Sequence, residues 1–278
     1  MFRIHSRANN LVMNRMTGNA GDLLCEWRQR RRLSQLALAS EANISQRHLS
    51  FLESGRARPS RDMVLHLSEY LEIPLRERNM ILTLAGHAPH YPQRGLDAPE
   101  LSGIRGLIEG VLRGHHPHPA LAVDRHWTLI SANAAARDLM ADAAPHLLEG
   151  EVNVLRLSLH PEGLAPRILN LPEWRAHLLA RLAHDIRQSA DARLVALHDE
   201  IAAFPVPAST TPPGSDPVRE GRIAVPLRLQ GDAGPLAFLG TTTVFGTATD
   251  VTLSEVTIEA FFPADDKTAR AMMRKSSG

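Results

Sequence analysis

Gln46, Arg47, His48 and Ser50 bring four hydrogen-bonding side chains into one short segment of this chain. Short or forked side chains of these types can reach base edges in the major groove of DNA, where each base pair shows its own pattern of donors and acceptors. Leucines spaced i, i+3 in the same segment predict a short helix that buries them and exposes the polar residues. The segment therefore has the composition of a DNA-recognition helix.

Two short helices joined by a tight turn are needed to present this segment. Ser34 and Ser45 are suited to cap the first and the second helix, because a serine oxygen accepts a backbone N–H of the first turn. Asn43 stands at the break, where the chain must adopt a left-handed backbone that Asn tolerates best after Gly. In the first helix we expect Gln35 to face outward and an apolar set to face inward: Leu36, Leu38, Ala39 and Ala42.

A basic loop with Arg56 and Arg58 follows the second helix. Residues 28–61 contain eight arginines and two acidic residues, a local net charge of +6, although the whole chain carries only +1. Residues 1–90 carry a net charge of +5 and residues 91–278 one of −4. Positive charge concentrated beside a recognition helix predicts contacts with DNA phosphates. The expected DNA-binding residues are Ser34, Gln35, Ser45, Gln46, Arg47, His48, Ser50, Arg56 and Arg58.

A set of residues across this stretch matches a known family: Arg28, Arg32, Ser34, Gln35, Leu38, Ala39, Ser45, Leu49, Leu52, Glu53, Gly55, Pro59 and Ser60. With these residues the chain resembles the phage-repressor type of helix-turn-helix found in xenobiotic-response-element-like bacterial regulators. Family members usually carry Gly where this chain has Asn43, a substitution that the left-handed tolerance of Asn accommodates. The resemblance implies a lambda-repressor-like, all-α DNA-binding domain. We place this domain, with five helices, at residues 21–90, after a disordered tail at residues 1–20.

Residues 91–117 are expected to link this domain to a second one. Within them, residues 99–114 keep the apolar spacing of an amphipathic helix that starts at a proline. This helix could pack on the second domain or on a second subunit. The segment His115-His116-Pro117-His118-Pro119 holds three imidazoles, but its prolines keep the backbone extended and no acidic residue or Cys adjoins it. An entry to a strand is therefore favoured over a metal site.

The pattern then changes to β, and residues 120–132 predict a hairpin. Asn133 is suited to cap the helix that follows it. A long helix starting at Pro172 carries an apolar stripe, a second amphipathic helix comes after it, and residues 205–217 form a loop. Three further strands are predicted at residues 222–230, 235–245 and 254–262.

Four segments of this region form a second match: ALAVDRHWTLISAN, VNVLRLSLHPEGLAP, LNLPEWRAHLLARL and VTLSEVTIEAFFPADDKTA. With them the chain resembles the ligand-binding domain of MmyB-like transcription regulators over about residues 118–270. Residues 271–278 remain as a C-terminal tail. The resemblance implies a PAS-like α+β sensor domain, with a fatty acid or similar apolar effector as its ligand. With the N-terminal helices, this predicts an α+β protein.

A carboxylic acid bound in such a domain needs a cationic or hydrogen-bonding partner near the rim of its pocket. An apolar tail needs a channel lined by large apolar side chains, although a Trp in an amphipathic element also serves ordinary packing. The candidates for the rim are Arg156, His160, Arg175 and His177, and those for the channel are Trp127 and Trp174.

A metal phosphohydrolase is one alternative. His184 and Asp185, with His160 or His177 upstream and Asp191 downstream, superficially match the His, His-Asp, Asp set of such enzymes. The apolar face of the helix that carries the dipeptide is already accounted for, so the dipeptide is expected in solvent. The chain has no Gly-rich phosphate loop, no Gly-x-Ser-x-Gly elbow and no His-Glu-x-x-His. We therefore expect no enzyme, no catalytic residue and no metal site.

A second alternative is an interaction protein with a degenerate helix-turn-helix that no longer binds DNA. Arg47, Arg56 and Arg58 argue against it, because an idle domain has no need of forked cations around a recognition helix. The residues favour a protein that binds DNA.

Cellular location is indicated by the single cysteine and by the N-terminus. Cys25 alone permits no disulfide framework within one chain, which is typical of a reducing cytoplasm. Residues 1–21 hold no apolar run of the length that a signal peptide or membrane helix requires. We expect a cytoplasmic, nucleoid-associated bacterial regulator that binds a palindromic operator in double-stranded DNA as a homodimer. It takes a small apolar ligand, uses no other cofactor and does not bind membranes.

Overall fold

The computed structural model describes residues 18–96, 98–189, 191–205, 224–232 and 234–276. Most of the predicted N-terminal tail and most of the predicted loop at residues 205–217 lie outside these described residues. The chain forms two compact units. The N-terminal unit comprises Met1–Gly95 and Gly246–Ser254, and the C-terminal unit comprises Leu96–Phe245 and Glu255–Gly278.

Between residues 18 and 90, the described part of the N-terminal unit has five helices, the number that the sequence predicts. Three of them begin at a serine cap, since the side-chain oxygen of Ser34, Ser45 or Ser60 accepts a backbone N–H three residues further on, and the caps at Ser34 and Ser45 are the predicted ones. The helices are α1 (Ala20–Arg30), α2 (Gln35–Glu41), α3 (Gln46–Glu53), α4 (Arg61–Tyr70) and α5 (Leu75–Leu84).

Helix α1 begins before the predicted end of the disordered tail. Asn19 caps it, since its side chain accepts the backbone N–H groups of Gly21 and Asp22 while the Asp22 carboxylate accepts the backbone N–H of Asn19. This reciprocal pair is a capping box, which fixes a helix start. The prediction of disorder through residue 20 is therefore wrong for Asn19 and Ala20.

The turn between α2 and α3 has the predicted left-handed residue, because Asn43 has a φ of 51°. The inward face predicted for α2 is wrong at one position, since the side chain of Leu36 is 63% exposed. Gln35 is half-buried instead of facing out, and its amide donates to Glu53 in α3 at 2.8 Å. This contact orients α2 so that position 36 faces solvent.

A separate segment, Gly246–Ser254, completes the N-terminal unit. It contains a one-turn helix, Val251–Ser254, whose first N–H donates to the carbonyl of Pro92 at 2.9 Å. Buried Asp250 accepts a hydrogen bond from Arg94 at 3.2 Å. Sequence analysis assigns this segment to the second domain, because contacts between residues so far apart in sequence leave no local signal.

The C-terminal unit contains the remaining helices and one antiparallel sheet. A 3-10 turn, Pro99–Leu101, leads into the predicted amphipathic helix. The helices are α6 (Ser102–Gly114), α7 (Ala134–Met140), α8 (Val154–Leu159), α9 (Leu171–Ser189), α10 (Ala192–Ala203) and α11 (Asp266–Ser276). The strands are β1 (Ala120–Val123), β2 (Leu129–Ala132), β3 (Leu227–Gly231), β4 (Gly234–Val244) and β5 (Thr257–Pro263).

The sheet has the strand order β2-β1-β5-β4-β3, and every neighbouring pair is antiparallel. Alternate residues of a strand point to opposite faces, so β1 serves two cores. Ala120 and Ala122 pack with Ile108 and Leu112 of α6 on one face. The other two residues of β1 face a larger core that includes residues of α7, α8, α9 and α10. The architecture is α+β, as predicted.

The described C-terminal residues up to Ser276 are helical, which corrects another prediction. Sequence analysis treats residues 271–278 as a tail, whereas α11 continues to Ser276 and buries Met272 in the larger core. Among the described residues, no helix is both long and apolar enough to cross a membrane.

Candidate functional site

The solvent-facing side of α3 carries three of the predicted base-reading residues. Gln46, Arg47 and His48 are exposed, whereas Leu49 and Leu52 are fully buried in the core of the N-terminal unit. The i, i+3 spacing of the two leucines thus turns the polar residues outward. Helix α3 therefore presents hydrogen-bond donors on its solvent-exposed side.

Phe51 holds two arginines on this exposed side. The guanidinium carbons of Arg47 and Arg56 lie 5.4 and 6.0 Å from the centroid of the Phe51 ring. Such a contact contributes about 0.5–1 kcal/mol at an exposed site, which restricts the guanidinium groups without occupying their N–H donors. Phe51 was not among the predicted residues, although its i, i+4 spacing from Arg47 is a recognisable signal. We call these three residues the Arg47–Phe51–Arg56 cluster.

The predicted serines differ in their surroundings. Ser34 Oγ accepts the backbone N–H of Ala37 at 3.0 Å, and Ser45 Oγ accepts that of His48 at 3.1 Å. Each hydroxyl keeps its own proton, which it can donate to a phosphate oxygen. Ser50 is half-buried.

An internal ion pair positions helix α3. Arg28 of α1 donates through Nε and Nη2 to the two carboxylate oxygens of Glu53, at 2.6 and 2.7 Å, and through Nη1 to the carbonyl of Leu33 at 2.8 Å. Burial raises the pKa of Glu53, but the hydrogen bonds from Arg28 and Gln35 lower it by more, so the net pKa lies below its ordinary value. The pair ties α1, the start of α2 and the end of α3 together.

Arg58, predicted to bind phosphate, also has an internal partner. Its Nε donates to the carbonyl of Ala85 at 2.5 Å, at the end of α5. A Cβ atom placed on Gly86 would lie 1.5 Å from Arg58 Nη2, so any other residue at this position would require the guanidinium to move. Arg58 is nevertheless exposed as a whole residue. Part of its guanidinium therefore remains accessible to a phosphate while Nε contacts Ala85.

A cavity of about 470 Å³ lies inside the C-terminal unit. This volume is within the range of small-molecule sites, which are mostly apolar with a few polar groups. Its walls come from the sheet and from helices α7, α8 and α9. Apolar lining residues include Leu121, Met140, Leu155, Leu178, Phe238 and Phe261.

Three of the six predicted ligand residues line this cavity: Trp127, Trp174 and His177. Both indole N–H groups are used within the protein. Trp174 Nε1 donates to Ser158 Oγ at 3.1 Å, and Trp127 Nε1 donates to Asp185 at 3.3 Å. The two rings therefore offer apolar surface to the cavity.

Arg181, Glu259 and His177 form the polar end of the cavity. Arg181 donates to the two carboxylate oxygens of Glu259 at 2.6 and 2.9 Å, and its guanidinium lies 4.5 Å from the Trp127 ring centroid. Burial lowers the pKa of His177, and the charge of Arg181 lowers it further. The predicted residues did not include Arg181, which follows His177 by one helical turn, or Glu259, the acid within an apolar strand.

The other predicted rim residues do not line the cavity, which corrects their predicted place. Arg156 forms a two-point ion pair with Glu200, with hydrogen bonds of 2.5 and 2.8 Å. Arg175 donates to the carbonyl of Ala202 at 2.5 Å, near the end of α10, where the helix dipole favours a cation. His160 contacts the ring of Phe204. Each of these three side chains contacts another residue of the C-terminal unit outside the cavity lining.

The residues of the phosphohydrolase alternative do not form a metal site. Asp185 accepts the indole N–H of Trp127, and Asp191 accepts Nε2–H of His126 at 2.9 Å while it caps α10. Among the described residues, the His, Cys, Asp and Glu side chains close enough to share an ion are those of His146, His160 and Glu162. That group contains one member of the predicted set, and its Nδ1 already accepts a backbone N–H.

The histidine-rich segment before β1 is also accounted for by the fold. His115 Nε2 hydrogen-bonds to the carbonyl of Phe261 at 3.0 Å, and β1 begins at Ala120, directly after Pro119. The segment leads into a strand as predicted, but residues 115–117 form a turn instead of the extended backbone expected from the prolines.

Comparison with known proteins finds two matching families. The MmyB-like transcription regulator ligand binding domain matches residues 104–274, and a helix-turn-helix family matches residues 26–78. No curated protein matches the chain.

Among solved structures, the chain is similar to one described as an RNA-binding light-oxygen-voltage receptor, at 17% identity and a TM-score of 0.23. The alignment covers 99% of this chain and 66% of the receptor chain, so the chain spans about two thirds of that length. A TM-score this low supports no conclusion about fold or function. The ligand-binding-domain family, in contrast, matches more than half of the chain. The chain therefore belongs to the MmyB-like transcription regulators, as a DNA-binding regulator with a helix-turn-helix and a ligand-sensing domain.

Proposed function

We propose that this regulator binds a palindromic operator as a homodimer and that a small ligand with an apolar chain, of the size found in fatty acids, controls its DNA affinity. The observation that carries the proposal is the apolar cavity of about 470 Å³ in the ligand-sensing domain. The protein is proposed to act in the bacterial cytoplasm, on the nucleoid, without catalytic activity.

DNA recognition is assigned to the exposed side of α3. Gln46 and Arg47 are proposed to contact base edges, since an arginine fork matches guanine and a glutamine amide matches adenine. His48 lies beside them and is exposed. In a homodimer the two copies of α3 would enter successive major grooves about one helical turn, roughly 34 Å, apart. Arg56 and the Ser45 hydroxyl are proposed to hold the helix on phosphates.

Ligand control requires that the ligand bind two states of the protein with different affinities, because an effector shifts an equilibrium only by that difference. Helix α6 is proposed to carry the change. Its Ile108 and Leu112 pack on the face of the sheet opposite to the cavity, so a change in the cavity wall alters the surface on which α6 rests.

The test is a binding titration of the full chain against duplex DNA from the region upstream of its own gene and against random duplex. Decanoate and decanol serve as probes of the cavity. The proposal predicts a preference for the upstream region that changes when one of the probes is added. Equal affinity for both duplexes refutes operator recognition, and an unchanged preference with a bound probe refutes ligand control.

A further inference from the structure

We infer that the cavity selects an uncharged ligand, with a hydroxyl or amide head group, over a carboxylate of the same chain length. The feature responsible is the Glu259 carboxylate in the cavity wall. This inference rests on the proposed function, because it specifies the head group of the apolar ligand.

The charge of Arg181 is already compensated within the cavity wall. Its two hydrogen bonds to Glu259 use both carboxylate oxygens, and Nη2 also reaches Thr242 Oγ1 at 2.9 Å. The Glu259 side chain is only 7% exposed, so its negative charge is little screened by solvent. Among the described residues that line the cavity, Arg181 is the only lysine or arginine.

This ion pair would weaken the binding of a carboxylate ligand. If it displaced Glu259 from Arg181, it would leave a buried carboxylate unpaired, which is strongly unfavourable. If it bound beside the intact pair, it would face the like charge of Glu259. Asp185, joined to the wall through the Trp127 indole N–H, places a further acidic group near Arg181.

The remaining polar groups of the cavity suit a neutral head group. Burial and the charge of Arg181 lower the pKa of His177, which favours its neutral form, and a neutral imidazole offers one donor and one acceptor. Ser158 accepts the indole N–H of Trp174 and keeps its hydroxyl proton to donate. A hydroxyl or an amide can donate to Glu259 and accept from these groups, whereas a carboxylate can only accept.

The experiment measures displacement of an environment-sensitive dye from the full-length protein at neutral pH. The competitors share one chain length: decanol, decanamide, decanoate and decylammonium, each below its micelle concentration. We expect decanol and decanamide to bind the wild-type protein at least ~10-fold more tightly than decanoate, a modest ratio for a like-charge penalty in a poorly solvated site.

Glu259→Gln should then raise the relative affinity for decanoate by a similar factor, because Arg181 is released to bind it. Glu200→Gln is the matched control, since Glu200 forms the same two-point pair with Arg156 away from the cavity. It should leave the order of affinities unchanged. If Glu259→Gln does not fold, the order measured on the wild-type protein decides the question.

If the wild-type protein binds decanoate or decylammonium most tightly, this inference is overturned. The same result would still support an apolar, lipid-like ligand, and so the proposed function. A change of order in Glu200→Gln equal to that in Glu259→Gln overturns this inference as well. If no member of the series displaces the dye, the proposed apolar ligand is refuted, and this inference falls with it.

Discussion

Arg28 and Glu53 form a two-point ion pair inside the N-terminal unit, with hydrogen bonds of 2.6 and 2.7 Å between side chains that are 11% and 3% exposed. The pair joins α1 to the end of the recognition helix, and Gln35 adds a third contact to the same carboxylate. The orientation of α3 therefore depends on a buried polar network as well as on its leucines.

Glu53→Gln should destabilise the N-terminal unit by about 3–5 kcal/mol, because it leaves the buried Arg28 charge uncompensated. Amide hydrogen exchange of α1 and α3 in the full chain reports this loss. Glu109→Gln is the control, since the Glu109–Arg113 pair is exposed and such pairs contribute at most about 1 kcal/mol. Equal protection in Glu53→Gln and the wild-type protein would contradict the structural role of the pair.

Arg47→Ala should weaken binding to the operator by about 1–3 kcal/mol and relax specificity at one base pair, because a base-edge contact is lost. Fluorescence anisotropy with operator variants and random duplex measures both effects. Arg113→Ala removes an exposed arginine outside the N-terminal unit and should change neither. Equal losses on operator and random DNA in Arg47→Ala would assign Arg47 to the phosphates instead.

Arg58→Ala should weaken binding to all DNA sequences. The slope of log affinity against log salt concentration should fall by about 1, because one phosphate contact is lost. The substitution should also reduce stability by about 1 kcal/mol, because the hydrogen bond to Ala85 is lost. Arg56→Ala should give the same salt effect at little cost in stability, since Arg56 is exposed and its contact is with the Phe51 ring. Identical stability in the two variants would mean that the Ala85 contact contributes nothing.

Leu178→Phe should be tolerated and should reduce ligand affinity at least ~10-fold, because the larger side chain can enter the cavity that Leu178 lines. Leu182→Phe is the matched variant one turn further along α9. Leu182 is fully buried and does not line the cavity, so the added volume should destabilise the unit by about 1–3 kcal/mol. Thermal unfolding and dye displacement on both variants compare the two sites. The opposite order of stability would contradict an open cavity at Leu178.

Asp191→Asn should destabilise the C-terminal unit by about 2 kcal/mol at neutral pH, and the difference from the wild-type protein should shrink in acid. Burial raises the pKa of Asp191, but hydrogen bonds from His126 and the backbone of Arg193 bring it down to about 2. A depressed carboxyl pKa stabilises the fold above the ordinary value of 3.8, and this contribution is lost as the pH falls toward about 2. Urea unfolding at neutral pH and at several acidic pH values measures the difference in unfolding free energy between the two proteins. A difference that grows in acid would contradict the prediction.

The recognition helix shows what local patterns predict well. Its cap, its buried leucines and the left-handed Asn43 are set by residues a few positions apart, so the sequence predicts them correctly. The same holds for the hairpin that begins the sensor domain and for the amphipathic helix α6. Exposure of Gln46, Arg47 and His48 follows from the helical period alone.

The cavity of the C-terminal unit shows where local patterns fail. Arg156 and Arg175 have the right charge for a pocket rim, but each has a partner outside the cavity. Arg181 and Glu259, which do line the cavity, are 78 positions apart in sequence and meet only when α9 packs on the sheet. Charge and residue type identify the side chains that could bind a ligand. They do not identify the residues with which those side chains pair in the folded protein.

The sequence by itself determined the caps of α2 and α3, the left-handed Asn43 and the exposure of Gln46, Arg47 and His48, because caps, turns and amphipathic periods act over a few residues. Only the tertiary structure decided which long cationic side chains are free and which are paired. An ion pair depends on how distant segments are placed in space, and that placement follows from packing the whole unit. For this protein, the pairing of Arg181 with Glu259 turned a pocket expected to hold a carboxylate into one with a neutralised polar end.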